Sequence, residues 1–346
     1  MTTILRPKFT VCIPAYNRAR FLKPLLDSVM VQDYADFDIL ICEDLSRERG
    51  EIAEIAVKYS HRYPSKIFYH ENETNLGYDA NIRNLVERSR GEYCFFMGND
   101  DLMCPGALKE VADLLVRNDN IGFVLRSYAW FDETPDKLSA EVRYFSEERT
   151  FAAGATAIGV CFRRSGVISG YIIHRGLART AATNKFDGSL YYQMHLTASV
   201  LRTKSAVFTP KILVLCRNGE PPEFGNSPSE AGKYKPGVYT SEARLHMVGG
   251  ALSIIRNLRD TGNIDLVEQV TRDYANYFYP YIRDQLDLPF AEFFRLYRSF
   301  ARMGFSKYPL FHLYFFVGYI LGQRRFDRVV GILRGMLGRS PNFGVS

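Results

Sequence analysis

The sequence predicts an α/β protein with a doubly wound, mostly parallel sheet, and two observations carry that expectation. Over the first hundred or so residues, short apolar β-rich runs alternate with amphipathic helical stretches. Each of three runs also ends in a polar or acidic cluster, on the side where open α/β sheets bind ligands.

The elements follow in order. Residues 9–14 (Phe-Thr-Val-Cys-Ile-Pro) form an apolar run closed by a proline, which reads as a buried parallel strand. A helix is expected over residues 20–31, with Leu22, Leu25, Leu26 and Val29 on one face. Residues 37–42 are a second strand running into Glu43-Asp44, and a helix at 51–63 leads to a third strand at 66–70. A helix at 78–89 precedes a fourth strand at 93–97, followed at once by Gly98-Asn99-Asp100-Asp101 and a helix from about Pro105. From residue 121 the pattern is mixed, with strands at 166–174 and 205–216 around a helix at 190–201. A Pro-, Gly- and Glu-rich loop follows at 218–237, and residues from 241 onward are almost entirely helical in pattern. The expected organisation is an α/β domain over 1–220, in halves of 1–115 and 116–220. A loop at 221–240 and a helical, aromatic and basic region at 241–346 complete the chain.

A 47% hydrophobic and 24% charged composition is that of a folded protein. The net charge of +6 comes from mostly dispersed residues, so no nucleic-acid partner is expected. The six cysteines show no metal spacing, and several sit in apolar runs as small hydrophobes, which suits a reducing compartment. Residues 1–9 lack the roughly 7–15-residue apolar core of a secretion signal. A cytoplasmic location is therefore expected. Residues 309–322 (PLFHLYFFVGYILG) are apolar but short of the about 20 residues needed to cross a bilayer.

Glycine-rich dinucleotide and P-loop signatures are absent from the first strand–helix turn, where Pro14-Ala15-Tyr16-Asn17-Arg18 stands instead. Three further motifs follow: Glu43-Asp44-Leu45-Ser46, Asn75-Leu76-Gly77 with Asn81, and Gly91-Glu92-Tyr93 leading to Asn99-Asp100-Asp101. In this order they resemble family 2 glycosyltransferases of the GT-A fold, strongly over residues 8–115 and more weakly to about 217. Within the family the chain looks most like abequosyltransferase-type O-antigen enzymes. The resemblance implies a metal-dependent inverting glycosyltransferase. Its donor would be a nucleotide sugar carrying a (deoxy)hexose, and its saccharide acceptor would be lipid-linked.

Roles follow from that resemblance and from the chemistry. Asp100 is the first choice as ligand to Mg²⁺ or Mn²⁺, with Asp101 a second ligand or a partner of its waters. Gly98 stands where the family's Asp-x-Asp has its first aspartate. Asp44, assisted by Glu43, is expected to accept hydrogen bonds from the nucleoside. Tyr16 would lie against the base near Pro14, and Arg18 beside phosphate with Asn17. Asn75, Gly77 and Asn81 belong to the same donor site, with Asp79 approaching the sugar and Asn99 beside the metal pair. Arg217 could place a second cation near phosphate. The family's catalytic Glu-Asp pair maps onto Tyr192-Gln193, and Gln193 cannot act as a base. Asp187 is the first candidate in its place and His195 the second. The missing pair also leaves open a non-catalytic assembly partner that kept the nucleotide fold.

From Arg295 onward nine basic residues stand against one acid, Asp327. With the aromatic stretch, they suggest peripheral contact through residues 295–339 with the inner face of the cell membrane. The same helices equally suit packing on the catalytic domain or against a second copy of the chain.

Overall fold

The computed structural model describes residues 8–336 and 342–343. Its first seven elements are β1 (Phe9–Ala15), α1 (Ala19–Met30), β2 (Phe37–Glu43), α2 (Arg49–Arg62), β3 (Ile67–Glu71), α3 (Tyr78–Arg88) and β4 (Tyr93–Phe96). The four strands are parallel in the order β3-β2-β1-β4, with Cys12 opposite both Leu40 and Phe96. Their carboxyl ends therefore lie in one row. Neighbouring side chains point to opposite faces. Val11, Ile13, Ile39, Ile41 and Phe95 pack with α1 and α2 in one core, while Cys12, Leu40, Cys94 and Phe96 pack with α3 in another. Both faces are covered, as the near-continuous apolar runs require.

The second half adds β5 (Leu102–Met103), α4 (Ala107–Arg117), β6 (Ile121–Phe131), β7 (Leu138–Val142), β8 (Arg149–Phe151) and α5 (Ala155–Cys161). It continues with β9 (Tyr171–His174), α6 (Arg175–Thr180), α7 (Tyr192–Val200) and β10 (Ser205–Arg217). β9 runs antiparallel between β4 and β6, and β10 pairs with β6 in parallel. The expected strand at 166–174 is shorter, because Gly170 turns the chain in the left-handed region (φ 72°) and only residues from Tyr171 join the sheet. Conversely β6 is an eleven-residue strand that the apolar pattern did not reveal. Its run is broken by Arg126-Ser127, both fully buried. The Arg126 guanidinium donates to the carbonyls of Ser169 and Val167 and lies 4.8 Å from the Tyr128 ring centroid. A charge with its Nε and Nη2 engaged in this way sits inside a sheet, but it disguises the strand.

The segment from Asn218 to Thr240 crosses the carboxyl ends of the strands without regular structure. After it come α8 (Ser241–Gly262), α9 (Val267–Asn276), α10 (Phe290–Arg302), α11 (Pro309–Met336, kinked at Gly322 with φ 68°) and β11 (Asn342–Phe343), which pairs with β7. These helices are not a loose appendage. Val248, Leu252, Tyr274, Phe278 and Phe311 share one continuous core cluster with α3, α7 and the sheet. Among the described residues no helix is long and apolar enough to cross a membrane.

α7 is anchored from outside itself. Its first turn has no side-chain cap of its own. Asp79, buried in α3, accepts hydrogen bonds from the Leu190 and Tyr192 N–H groups, each at 2.9 Å. Burial pushes the Asp79 carboxyl up to about 7, against the pull of those two donors. Folded, it holds its proton more tightly than unfolded. Its stabilising contribution is thus fully present below the unfolded carboxylate range near ~4 and is lost as pH rises through about 7. Asp79→Ala is expected to cost about 1–2 kcal/mol in urea unfolding, because two buried N–H groups lose their acceptor. Asp79→Asn should flatten the fall in stability over that pH window, and an unchanged slope would remove Asp79 as its source.

Candidate functional site

A cleft of about 350 Å³ opens at the carboxyl ends of β1, β2 and β4 and is roofed by the segment after β10. Three of the sequence motifs supply its floor. After β1 the chain reverses through Asn17 (φ 51°) and Arg18 (φ 62°), both left-handed. Asn17 serves the frame: its carbonyl accepts from Asn99 Nδ2 (2.8 Å) and its Oδ1 from the Arg47 N–H (3.2 Å). Arg18 turns into the cleft, donating to Asp100 Oδ2 and to the Pro221 carbonyl, both at 2.6 Å. Pro14 and Tyr16 line the same wall.

The two acids ending β2 part company. Glu43 is fully buried outside the cleft, with its Oε1 accepting from the Ser46 N–H (2.9 Å) to hold the turn into α2. Asp44 lines the cleft, and its carboxylate accepts from Asn72 Nδ2 and from the Leu76 and Gly77 N–H groups, all at 2.8 Å. Burial raises Asp44 to about 6, and these three donors oppose the rise. One side chain thus ties the end of β2 to the turn before α3. Asn75 Oδ1 also accepts from the Gly77 N–H, and Asn81 bridges Asn72 and the Cys42 carbonyl. Gly77 (φ 84°) is required here. A Cβ would fall 2.3 Å from Ser227 Oγ of the roof. Asp79, next along, lies outside the cleft with its oxygens committed to α7.

The turn after β4 brings Asp100 and Asp101 together with different duties. Asp101 Oδ2 accepts from the Ser169 hydroxyl and Oδ1 from the Arg217 N–H (2.7 Å). Burial, then the neighbouring Asp100 charge, raises it to about 7. Asp100 lines the cleft, and burial raises its pKa against the pull of Arg18. Gly98 donates its N–H to the same Ser169 Oγ (2.7 Å). A Cβ at position 98 would stand 2.9 Å from Asp101 Oδ2 and 3.0 Å from Ser169 Oγ. The missing first aspartate is thus explained by space, which Asp101 and the serine occupy. The Arg217 side chain lies between the Phe21 and Phe131 rings, at 4.1 and 4.6 Å from their centroids, and its Nε donates to the Asp100 carbonyl.

The expected bases are elsewhere. Asp187 is held by the Arg83 guanidinium (2.8 Å to Nη2) beyond α3, and it does not line the cleft. His195 is buried on α7 against Phe186, with Nε2 2.8 Å from the Ala181 carbonyl, and burial lowers its pKa. Neither faces the donor site, because the first turns of α7 are drawn into the core by Asp79. Gln193, at the family's base position, is also buried and donates to the Gly166 carbonyl (2.8 Å).

Sequence reading overlooked the roof. Glu220, Glu223, Phe224 and Glu230 all line the cleft, as do Tyr78 and Trp130. Glu230 is buried, accepting from the Tyr78 N–H at the start of α3 (2.7 Å) and from the Gly225 N–H (2.8 Å). Glu220 is paired with Arg20. Glu223 has no cation partner among the described residues, and its carboxylate accepts from Asn17 Nδ2 (3.2 Å). Three glutamates within eleven residues of a Pro- and Gly-rich loop were the available signal. The cleft as a whole sets six carboxylates against the two guanidiniums Arg18 and Arg217.

Residues 10–172 match the protein family described as Glycosyl transferase family 2. Over that stretch, a little under half of its length, the chain is similar to family 2 glycosyltransferases. Abequosyltransferase RfbV of Salmonella typhimurium is 34% identical over 97 residues, covering 28% of this chain and 29% of that protein. The chain spans about a third of the length of the curated relatives it matches. Among solved structures, residues 1–349 of Staphylococcus aureus TarS in complex with UDP-GlcNAc align with a TM-score of 0.58. They share 14% identity over 84% of this chain and 79% of that one. The mannosyltransferase PcManGT of Pyrobaculum calidifontis, in complex with GDP-Man and Mn²⁺, aligns with a TM-score of 0.52 at 12% identity, over 92% and 88%. At these identities the likeness shows the fold, a GT-A α/β domain with a helical C-terminal region.

The crowding at Gly98 has a consequence for this domain. Gly98→Asp, which would restore the family's first aspartate, is expected to destabilise by about 1–3 kcal/mol through overpacking. It should not tighten Mn²⁺ binding; calorimetry showing tighter binding at unchanged stability would overturn this reading of the turn.

Proposed function

We propose that the protein is an inverting glycosyltransferase that moves a (deoxy)hexose from a nucleotide-sugar donor to a saccharide acceptor. The acceptor is a lipid-linked one, in the synthesis of a surface polysaccharide such as O-antigen. The observation that carries the donor half is the cleft itself, where Asp44, Asp100, Arg18 and Arg217 converge at the carboxyl ends of parallel strands.

The charge balance supports a divalent cation. Six carboxylates facing two guanidiniums would repel a diphosphate, and Mg²⁺ or Mn²⁺ held at Asp100 would offset that repulsion. The donor set fits a cation held by one protein carboxylate, with phosphate and water completing its shell. Asp100, which lines the cleft, would supply that carboxylate. Asp101, with both oxygens already accepting hydrogen bonds, orients the turn. When bound, the cation neutralises charge that develops on the leaving nucleoside diphosphate. Arg18 and Arg217 add to that neutralisation from the chain. Asp44 frames the nucleoside pocket together with Pro14 and Tyr16.

Glu223 is the base we assign in place of Asp187 and His195. It faces the cleft with no cation partner among the described residues, so it can take the proton of an acceptor hydroxyl. The acceptor oxygen then bonds to the anomeric carbon as the bond from that carbon to the diphosphate oxygen breaks, with inversion. The burial of Gln193 at the family's base position favours a second reading, a nucleotide-binding assembly partner that transfers nothing.

Two measurements separate these readings. Thermal denaturation across UDP, GDP, CDP and TDP with Mg²⁺ or Mn²⁺ should show one nucleotide stabilising by about 2.7 kcal/mol at a hundredfold excess over Kd. Asp100→Ala should abolish that shift, and an unaltered shift would dismiss the metal role. Glu223→Gln should leave the shift intact and lower kcat by about 10²–10⁴-fold in an acceptor assay. Full turnover in that variant would refute the base; binding without any transfer in the wild type would favour the assembly partner.

A further inference from the structure

α11 divides its aromatic and aliphatic residues between two faces. Phe311 and Phe315 are fully buried in the core, while Leu310, Leu313, Phe316 and Ile320 stand in water, the last 79% exposed. Their three- and four-residue spacing makes one stripe. α10 widens it: the exposed Phe290 and Phe294 stack on one another, Phe290 packs on Tyr319, and Phe294 and Phe316 both meet the Tyr297 ring. The result is a single apolar patch across two helices, larger than scattered surface residues produce.

Cations border the patch. Arg295, Arg298 and Arg302 form an exposed ridge on α10, and beyond the Gly322 kink Arg324, Arg325 and Arg328 are exposed on α11. Among the described residues none of these six makes an ion pair. The neighbouring Arg244 and Arg283, by contrast, are paired with Asp284 and Asp327. The kinked second half of α11 mixes the two chemistries on its outer side, where Val329, Ile332 and Leu333 are exposed next to those arginines. Arg339 lies outside the described residues.

Apolar side chains left in water and like charges left unpaired both raise the free energy of the isolated chain. An anionic bilayer removes both at once: the apolar stripe enters the acyl boundary while the guanidiniums meet lipid phosphates. Half of the apolar stretch is committed to the core, and no described helix is both long and apolar enough to cross. The mode is lying on the surface. We propose that the outer face of α10 and α11 docks in the plane of an anionic lipid bilayer. This inference stands on that face alone and does not depend on glycosyl transfer, though it would bring the cleft to a lipid-linked acceptor.

The test is co-sedimentation of the full chain, without nucleotide, with phosphatidylcholine vesicles that contain or lack phosphatidylglycerol. Binding is expected only to the anionic vesicles, weakening as salt is raised. The triple variant Arg295→Glu, Arg298→Glu, Arg302→Glu should lose at least about a hundredfold in affinity. The pair Phe316→Ser, Ile320→Ser should weaken binding with at most a small fall in melting temperature, since Ile320 is largely exposed and Phe316 about half so. Equal binding to neutral vesicles, or none to anionic ones, would overturn the proposal. So would a concentration-dependent dimer broken by the Phe316 and Ile320 changes in a chain that ignores vesicles. The nucleotide-dependent thermal shift should survive in both variants, so the failure of this inference and that of the donor-site reading are separately visible.

Discussion

The carboxyl group of Asp101 is the joint on which the cleft hangs. It is buried at the end of β4, and it gathers the Ser169 hydroxyl from the turn before β9 and the Arg217 N–H at the end of β10. Three stretches of chain from both halves of the sheet thereby meet at one side chain. Ser169 in turn takes the Gly98 N–H, which closes the turn so tightly that a Cβ at position 98 would have to displace the Asp101 carboxylate. Asp100 is presented to the cleft because its neighbour is turned inward. A buried carboxyl is costly unless it is fully hydrogen-bonded, so this arrangement is intolerant of partial loss.

The same device recurs. Asp44 ties β2 to the turn at Gly77, Glu43 holds the entry to α2, Asp79 starts α7, and Glu230 fastens the roof to the start of α3. Each is an acid placed against backbone N–H groups that would otherwise lack partners. The acids with freedom to act on a ligand are those left over, Asp100 and Glu223. Chemistry in this cleft is thus a residue of structural demand: most of its carboxylates are already employed in holding loops at the strand ends.

The C-terminal helices show a parallel division between packing and surface. Their inner faces continue the core that α3 and α7 begin, so they stabilise the very side of the sheet on which the roof segment rests. Their outer faces keep large apolar side chains together with arginines that make no ion pair among the described residues.

The sequence by itself determined the parallel first half. Period-2 burial inside short apolar runs and 3.6-residue spacing between them are local signals, and the observed α1, α2, α3 and β1–β4 begin and end within a few residues of the expected positions. It also placed Asp44, Asp100 and Arg18 at the strand ends, because loop residues that follow a parallel strand have only one edge to occupy. Tertiary structure alone decided the rest. Whether an acid is a ligand or a tether depends on which N–H groups surround it, so Glu43 and Asp79 read like site residues yet lie outside the cleft. β6 was illegible because the partners that make Arg126 tolerable, the carbonyls of Val167 and Ser169, are about forty residues away. Asp187 and His195 were displaced by the packing of α7. Glu223 could be placed at the site only once the loop that carries it was seen to close over the strand ends, a long-range contact that a cluster of loop glutamates does not by itself specify.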